Sequence, residues 1–503
     1  MIRSPSGKNL SGQRQLVQQL IDRQQYLAAE KKLRALLMLQ PYDSALLASA
    51  ARVARRQGKP EEAKRYYLRV LKVSPQSVIA LNGLGLIYFD AGDFDSAEKY
   101  YIEALKNIQG YAAAHNNYAV LLRKQGRYKE SVQQYQLALA ANPDYEEATF
   151  GLACLNIILQ QFDEAEGILC ELLKKNPNNT RYQNTYSMLL LKKGSFVEGW
   201  ALYRARYSPT NDDRFFTRPN YSFTYWNGED LTGKTILIHR EQGLGDEIQF
   251  CRYITRLKIE KNAAKIIYVC SEALIPLFSS LPEIDLLITS WNDNPQHADY
   301  WSMLLDLPLQ FVSSSNPYGG NPPYLQADPL SLPAWASPEV SSLPLKVGVV
   351  WRGSPAHAND RSRSLPSLSS LKSLWKVPYI QWISLQKGAG EEDALTPDED
   401  QPIVALGHRF ANYADTAATI EHLDLVITVD TSVAHLAGAM GKHCWVILPA
   451  TGVDWRWTHG RSDSLWYPNM RVFARLPSET LDSVIDRIGV QLNEWMHRRI
   501  AKE

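Results

Sequence analysis

From Leu423 to Lys442 the chain reads Leu-Asp-Leu-Val-Ile-Thr-Val-Asp-Thr-Ser-Val-Ala-His-Leu-Ala-Gly-Ala-Met-Gly-Lys, a strand that becomes a helix without a pause. Leu425 to Val429 is a short, apolar, β-branched run, the mark of a parallel strand covered on both faces. Asp430, Thr431 and Ser432 are residue types that open helices. Val433 to Met440 is small and apolar enough to lie flat on a sheet. A helix that begins at the carboxyl end of a parallel strand aims unpaired N–H groups and its positive dipole end into the ligand crevice. Phosphate chemistry suits that arrangement, and the dipole alone gives a bound anion about 0.3–1 kcal/mol, ~2 when partly buried. A nucleoside mono- or diphosphate is expected here, with Thr431 and Ser432 contributing N–H and hydroxyl donors. His435, one turn further along, is either a phosphate or sugar contact or a satisfied core histidine.

A second loop with chemical potential is Arg240-Glu241-Gln242-Gly243-Leu244-Gly245-Asp246-Glu247. It follows a strand at Thr235–His239 and runs into a helix from about Glu247 to Lys258. Gly243-x-Gly245 lacks the third glycine of a dinucleotide fingerprint, because position 248 is Ile248, and no acidic residue follows a second strand convincingly. A dehydrogenase is a poor fit.

The elements that must position these loops form two small α/β lobes. Strands are expected at Lys265–Cys270 and Ile284–Thr289 in the first. In the second they are expected at Lys346–Trp351, Tyr379–Leu385, Ile403–Ala405, Leu425–Val429 and Cys444–Leu448, with an amphipathic helix from about Glu479 to Arg499. Strands alternating with helices imply parallel sheets. Irregular text after Arg206 reads as a linker over 208–232, and the Pro, Ser, Gly and Asn run that follows Ser313 reads as another. The expected organisation is an N-terminal lobe at 233–325, an inter-lobe linker at 326–345 and a C-terminal lobe at 346–503, with a cleft between the lobes.

Ahead of them lies a repeat. Pro41, Pro75, Pro143 and Pro177 fall on a 34-residue beat whose missing member is Gln109. Gly58, Gly92, Gly126 and Gly194 keep the same beat, with Gln160 in the gap. Small residues recur at Ala29, Ala63, Ala97, Ser131, Ala165 and Gly199, and aromatics at Tyr67, Tyr101, Tyr135 and Tyr203. This period and these residue types resemble the tetratricopeptide repeat. Small residues let paired helices approach, glycine turns the chain, proline ends each unit and the aromatic fills the gap between neighbours. About six units are expected over 10–207, after a flexible N-terminus at 1–9. Such an array is a concave surface for a protein or peptide segment; the alternative is a scaffold for homo-oligomerisation.

Composition limits the rest. With 54 Lys and Arg against 53 Asp and Glu, the net charge is +1, so neither nucleic acid nor an anionic membrane is implied as a partner. No apolar run reaches the ~18 residues of a membrane span, and the N-terminus lacks the apolar core of a secretory signal. Five scattered cysteines, none in a CxxC, support neither a disulfide framework nor a zinc site. A soluble, cytoplasmic protein is the expectation.

Three ordered segments carry a wider resemblance: Lys234-Thr-Ile-Leu-Ile followed by Glu241-Gln-Gly-Leu-Gly-Asp-Glu-Ile-Gln-Phe, then Val350-Trp-Arg-Gly-Ser-Pro, then Val429-Asp-Thr-Ser-Val-Ala-His-Leu-Ala-Gly. Together they look like heptosyltransferase-type glycosyltransferases, and more closely like bacterial proteins that fuse tetratricopeptide repeats to such a domain. Asp454-Trp-Arg-Trp and Trp466-Tyr-Pro extend the likeness across nearly the whole chain. The resemblance implies an α-helical solenoid followed by an α/β GT-B fold of two Rossmann-like lobes. It further implies a nucleotide-sugar donor held mainly by the C-terminal lobe, and inverting transfer with no metal and no cofactor beyond that donor. By broader analogy, repeats joined to a GT-B domain are similar to O-GlcNAc transferase, whose repeats capture protein acceptors. Its catalytic signatures are not recognisable here.

Roles follow from the resemblance residue by residue. Asp246 stands where the family carries an aspartate after glycine in the first loop. It is either the general base that deprotonates the acceptor hydroxyl, a role typically worth ~10²–10⁴ in rate, or an ordinary helix cap. His239 and Glu241 are the reserve bases. Asp430 is expected to accept hydrogen bonds from donor-sugar hydroxyls, to cap the helix from Thr431, or to do both. In the loop after the first strand of the second lobe the family places a basic residue on the leaving diphosphate, and Arg363, then Arg361, match by position. A guanidinium fork can bind phosphate oxygens in pairs. Lys387 ends the next strand and is assigned to nucleotide or phosphate. Trp455 and Trp457, flanking Arg456, are expected to pack in the core. The expected activity is transfer of a sugar to a Ser or Thr hydroxyl of a protein, with flagellin or another surface protein as the guess. The alternatives are a lipopolysaccharide or other glycan acceptor, and an inactive adaptor.

Overall fold

The computed structural model describes residues 7–208, 218–293, 297–313, 318, 320–327, 345–357, 359–476 and 478–501. Residues 1–6 of the N-terminal segment, 209–217 of the first expected linker and 328–344 of the second lie outside them. Gly7 to Asn9, expected as part of a flexible tail, belong to a helix. The chain forms two compact units, Met1–Lys175 and Asn176–Glu503.

The first unit is helical: α1 (Gly7–Asp22), α2 (Tyr26–Leu39), α3 (Ser44–Arg56), α4 (Pro60–Val73), α5 (Val78–Asp90), α6 (Phe94–Asn107), α7 (Ala112–Lys124), α8 (Tyr128–Ala141), α9 (Glu146–Ile158) and α10 (Phe162–Lys175). The 34-residue beat sets its turns. Gly58, Gly92 and Gly126 adopt φ of +72°, +79° and +78°, and the same left-handed position is forced on Gln24 (+57°) and Gln160 (+63°). Ala29, Ala63, Ala97, Ser131 and Ala165 are fully buried, and the Ser131 hydroxyl donates to Ala119 O at 2.7 Å. Three of the periodic tyrosines lie on glycines: an added Cβ at Gly83, Gly85 or Gly151 would come within 2.2–2.4 Å of the ring of Tyr67, Tyr101 or Tyr135.

A left-handed residue with a Cβ costs roughly 1–2 kcal/mol relative to glycine, offset in part by glycine's freedom when unfolded. Gln160→Gly is therefore expected to stabilise the helical unit by roughly 0.5–1 kcal/mol. A higher urea midpoint for its unfolding checks this; an unchanged or lower midpoint contradicts it.

The second unit opens with two more helices of the repeat pattern, α11 (Thr180–Lys193) and α12 (Phe196–Tyr203). The expected repeat block at 10–207 is thus divided. The physical reason is the core that this last pair shares: Leu191, Phe196, Trp200 and Tyr203 belong to the same apolar cluster as Trp226, Phe250, Trp455 and Trp466 of the α/β body.

That body contains two parallel sheets. The first comprises β1 (Thr224–Tyr225), β2 (Thr235–His239), β3 (Lys265–Val269), β4 (Leu286–Ile288) and β5 (Tyr300–Met303), in the order β1-β5-β2-β3-β4. The second comprises β6 (Leu345–Val350), β7 (Ile380–Ser384), β8 (Ile403–Ala405), β9 (Leu425–Val429), β10 (Cys444–Leu448) and β11 (Met470–Ala474), in the order β11-β10-β9-β6-β7-β8. Strands β7, β9 and β10 are buried along their whole length, as strands covered on both faces must be.

Three strands were not expected. Strand β1 falls in the segment 208–232 expected as linker; it is two residues long, secured by the Trp226 N–H to Trp301 O at 2.8 Å. Strand β5 is a four-residue Tyr-Trp-Ser-Met run. Strand β11 lies at the sheet edge beside β10 and exposes Arg471 and Ala474. Each sheet reverses its winding next to a central strand, β2 against β5 and β6 against β9. Parallel sheets bind ligands outside the carboxyl ends of the strands at such switch points.

Candidate functional site

The helix α13 (Leu244–Phe250) follows β2, and α14 (Ser432–Ala439) follows β9. The two pack against each other, and glycine makes this possible. A Cβ on Gly245 would lie 2.9 Å from Cδ2 of His435 and 3.5 Å from Cα of Ser432. The Gly243–Asp246 loop of one lobe is thereby seated on the first turn of α14 in the other. Thr431 is the N-cap of α14, and no side chain closes the cap. The Thr431 hydroxyl instead lies 3.0 Å from the Thr428 hydroxyl, and that of Ser432 lies 2.6 Å from the Tyr413 hydroxyl. The opening N–H groups of α14 are left without a side-chain acceptor, the condition for anion binding.

Asp246 does cap its own helix. Gly243 is the N-cap and its N–H donates to Asp246 Oδ2 at 2.7 Å. The other carboxylate oxygen accepts from Arg456 Nη2. Burial raises the proton affinity of Asp246, the Arg456 charge opposes this, and Asp454 adds to the rise. Arg456 is 6% exposed and also reaches Asp454 Oδ1 at 2.8 Å and Gln249 Oε1 at 2.7 Å. Asp454 lies below the usual carboxylate range: burial pushes it up, but the Arg456 charge and hydrogen bonds outweigh that.

Asp430 is not the helix cap; that position is Thr431. Its carboxyl is pushed up to about 6, first by burial and then by the Asp454 charge, against the pull of Trp457, Arg363 and Arg456. A carboxyl raised on folding contributes stability below its unfolded value near 3.9, and that contribution fades as pH rises through about 6. Asp430→Asn is accordingly expected to raise stability at pH 7.5, by on the order of 1–3 kcal/mol, while leaving stability near pH 4 little changed. Melting temperatures of both proteins across pH 4–8 check this; parallel curves would refute it.

Arg363 is half-buried above Gly353, where a Cβ would lie 2.6 Å from its Nη2. Its ion pair with Asp360 is long, 3.5 Å, and its Nε is buried without a hydrogen-bond partner. Asp360 is drawn instead to the Ser364 hydroxyl at 2.6 Å, which itself accepts from Gly353 N–H at 2.8 Å. Gln386 orders the start of this loop: its Oε1 accepts from the N–H groups of Trp351 and Arg352, both at 3.0 Å. His357 in the same loop is shifted down by burial and by Arg363, and it senses Asp454 and Asp246.

Other expected residues lie differently. Arg361 is exposed. Lys387 is exposed and contacts His408 O at 3.3 Å and Glu391 at 3.8 Å, rather than the Asp430–His435 segment. His435 is buried, stacks on Trp457 at 5.5 Å and bonds the Tyr467 hydroxyl at 3.0 Å. Burial holds its pKa at about 3, so the ring is neutral. Glu241 is enclosed by Arg206 (2.8 Å), the Tyr207 hydroxyl (2.6 Å) and Leu305 N–H (3.0 Å), an occupied structural carboxylate rather than a reserve base. The ring of His239 bonds Arg240 O at 2.7 Å. Trp455 and Trp457 are both buried, as expected. Arg456, Asp454 and Gln386 were missed as site residues; the Asp454-Trp-Arg-Trp motif was the available signal for the first two.

A cavity of about 800 Å³ opens at the carboxyl ends of β2 to β5. Tyr221, Phe223 and Trp291 form its aromatic wall, with ring centroids 5.2–5.8 Å apart, and His239, Arg240 and Gln242 line the side toward the glycine loop. Among the described residues, no group of three or more His, Cys, Asp or Glu side chains is placed to hold a metal ion, and no helix is long and apolar enough to cross a membrane.

Tetratricopeptide repeat models match residues 48–111, 86–146 and 122–189. Protein FlbA of Caulobacter vibrioides is 24% identical over 492 residues, covering 92% of this chain and 80% of that protein. The probable UDP-N-acetylglucosamine–peptide N-acetylglucosaminyltransferase SPINDLY of Hordeum vulgare is 34% identical over 116 residues, 22% of this chain and 12% of that one. Among solved structures, a tetratricopeptide repeat protein from Parabacteroides merdae matches with 22% identity and a TM-score of 0.31, over 39% of this chain and 78% of that one.

Proposed function

We propose that this chain is an inverting, metal-independent glycosyltransferase of GT-B architecture that moves a sugar from a nucleotide donor to a Ser or Thr hydroxyl of a protein brought by the repeats. The observation that carries this reading is the junction of Gly245 with the first turn of α14. It joins a carboxylate, Asp246, to an open helix N-terminus across two parallel sheets, each at its switch point. Similarity over a short segment to SPINDLY, a probable peptide N-acetylglucosaminyltransferase, supports it.

In this reading the donor diphosphate lies on the N–H groups of Thr431–Val433, with Arg363 opposite. Asp430 accepts hydrogen bonds from sugar hydroxyls. The acceptor oxygen attacks the anomeric carbon from the face opposite the nucleotide, and its proton passes to Asp246. The bond from the anomeric carbon to the phosphate oxygen breaks, and the nucleoside diphosphate leaves with the electron pair. Preorganised charge around that leaving group is the term that usually dominates such reactions.

A second reading keeps the chemistry and changes the acceptor to a glycan. The aromatic wall and polar rim of the first-lobe cavity favour it, because sugar rings stack on such faces. One experiment begins to separate these. Purified protein is screened by thermal shift against UDP-, GDP-, ADP-, CMP- and dTDP-sugars, where a ligand at 100 times its Kd adds about 2.7 kcal/mol. The stabilising donor is then supplied with co-expressed candidate proteins, and the products are weighed by mass spectrometry. Sugar on a protein supports the first reading. Donor binding with no protein product supports the second, and no donor binding at all returns the chain to an adaptor.

A further inference from the structure

We propose that Arg456 is the positioning residue for Asp246, and that the last helical pair of the repeats holds Arg456 in place. The role assigned to Asp246 rests on the proposed function; the mechanical linkage does not. All three guanidinium nitrogens of Arg456 are engaged, with Asp246, Asp454 and Gln249. Asp246 and Gln249 sit on α13 of the first lobe, and Asp454 and Arg456 on the loop after β10 of the second. One buried cation thus ties the two lobes together at the carboxylate. Its face also lies 4.5 Å from the Trp455 ring.

The loop that carries it is held from a third side. Lys192 of α11 donates to Val453 O at 2.6 Å. Trp200 of α12 meets Trp455 edge-on at 5.5 Å and Phe250 of α13 at 5.7 Å, and Tyr203 lies 6.5 Å from Trp455. The same two helices brace both ends of the ion pair, the loop through Val453 and Trp455 and the carboxylate's helix through Phe250.

Burial of Asp246 favours its protonated form, and a protonated carboxyl cannot take up the acceptor's proton. Arg456 is the cation that counters this. The other groups facing Asp246 are Asp454, which opposes ionisation, His357 from the loop after β6, and the Gly243 N–H. His435, packed on Gly245, stays neutral. Removing the guanidinium leaves a buried carboxyl beside the Asp454 carboxylate without the cation it is paired with.

The full-length protein tests this in two independent ways. First, hydrogen exchange followed by mass spectrometry is compared for wild type, Arg456→Gln, Arg456→Lys and Lys192→Met. Peptides covering 244–250 and 453–457 are expected to lose protection together, about tenfold, in Arg456→Gln and Lys192→Met, with other segments unchanged. Independent behaviour of the two peptides overturns the linkage. Second, kcat for transfer is followed against pH. The acid limb of Arg456→Gln is expected to move up by about one pH unit, and Arg456→Lys to restore much of that shift, with donor Kd within twofold of wild type in both. An unmoved limb, or a lost donor affinity, overturns the positioning role. If wild type transfers no sugar, the functional reading fails, and the exchange data still decide the linkage. Should Arg456→Gln not fold, Arg456→Lys and Lys192→Met carry both measurements.

Discussion

Asp246→Asn is expected to lower kcat for transfer by roughly 10²–10⁴, the range for loss of a general base, while donor binding stays within twofold of wild type. The substitution keeps the shape of the side chain and its acceptor for the Gly243 N–H. It removes the negative charge against Arg456 and the site for the acceptor's proton. Arg456 retains Asp454 and Gln249, so the fold should survive, at some cost in stability. Initial rates with the donor found by thermal shift, alongside circular dichroism, check the expectation. A variant that transfers within tenfold of wild type would leave Asp246 as a helix cap and ion-pair partner only. For wild type the pH dependence has a definite sign: burial raises the pKa of Asp246, so activity should fall as pH drops through a value above the ordinary aspartate range.

The second large effect is expected at Arg363. Arg363→Gln should reduce kcat by about 10²–10³, the scale seen when one group stabilising a developing charge is deleted. Its Nε is buried and makes no hydrogen bond, only a long 3.5 Å ion pair with Asp360, so that N–H is available to a phosphate oxygen. A diphosphate would take it up. Arg361→Gln is the internal control, because that side chain is exposed; it should stay within twofold. Gly353→Ala should have a smaller effect than Arg363→Gln, since its methyl group would only push aside the end of a flexible side chain. Equal losses at both arginines would mean that general charge, rather than the placement of Arg363, serves the leaving group.

What was legible in the sequence follows physical lines. The repeats were visible because every unit obeys the same backbone constraint, a left-handed turn, with a buried small residue at the same spacing. Even the exceptions, Gln24 and Gln160, hold the glycine conformation. Strands β2, β9 and β10 were visible because burial on both faces enforces unbroken apolar text. Strands β1, β5 and β11 were not, because two-residue pairing, a serine and an exposed arginine erase that signal. The site was half legible. Local chemistry announced the α14 N-terminus and the glycine loop. Lys387 could not be placed, since the end of a strand does not say which way a long side chain turns. The pairing of Asp246 with Arg456 joins residues 210 positions apart, and no local pattern carries that.

The placement of α11 and α12 in the second compact unit has a consequence for recombination. A natural or engineered exchange of repeat arrays has its clean breakpoint near Lys175, where the units divide, rather than where the repeat text ends. A chimera cut there keeps the aromatic seat of Trp200 and Tyr203 and can accept foreign repeats upstream. One cut after Tyr207 would import a strange helix pair onto Trp455 and Phe250, and its recipient domain would have to be re-evolved around the graft. The repeats upstream of Lys175 are thus the exchangeable part of the array, and the last helical pair is inherited with the α/β body.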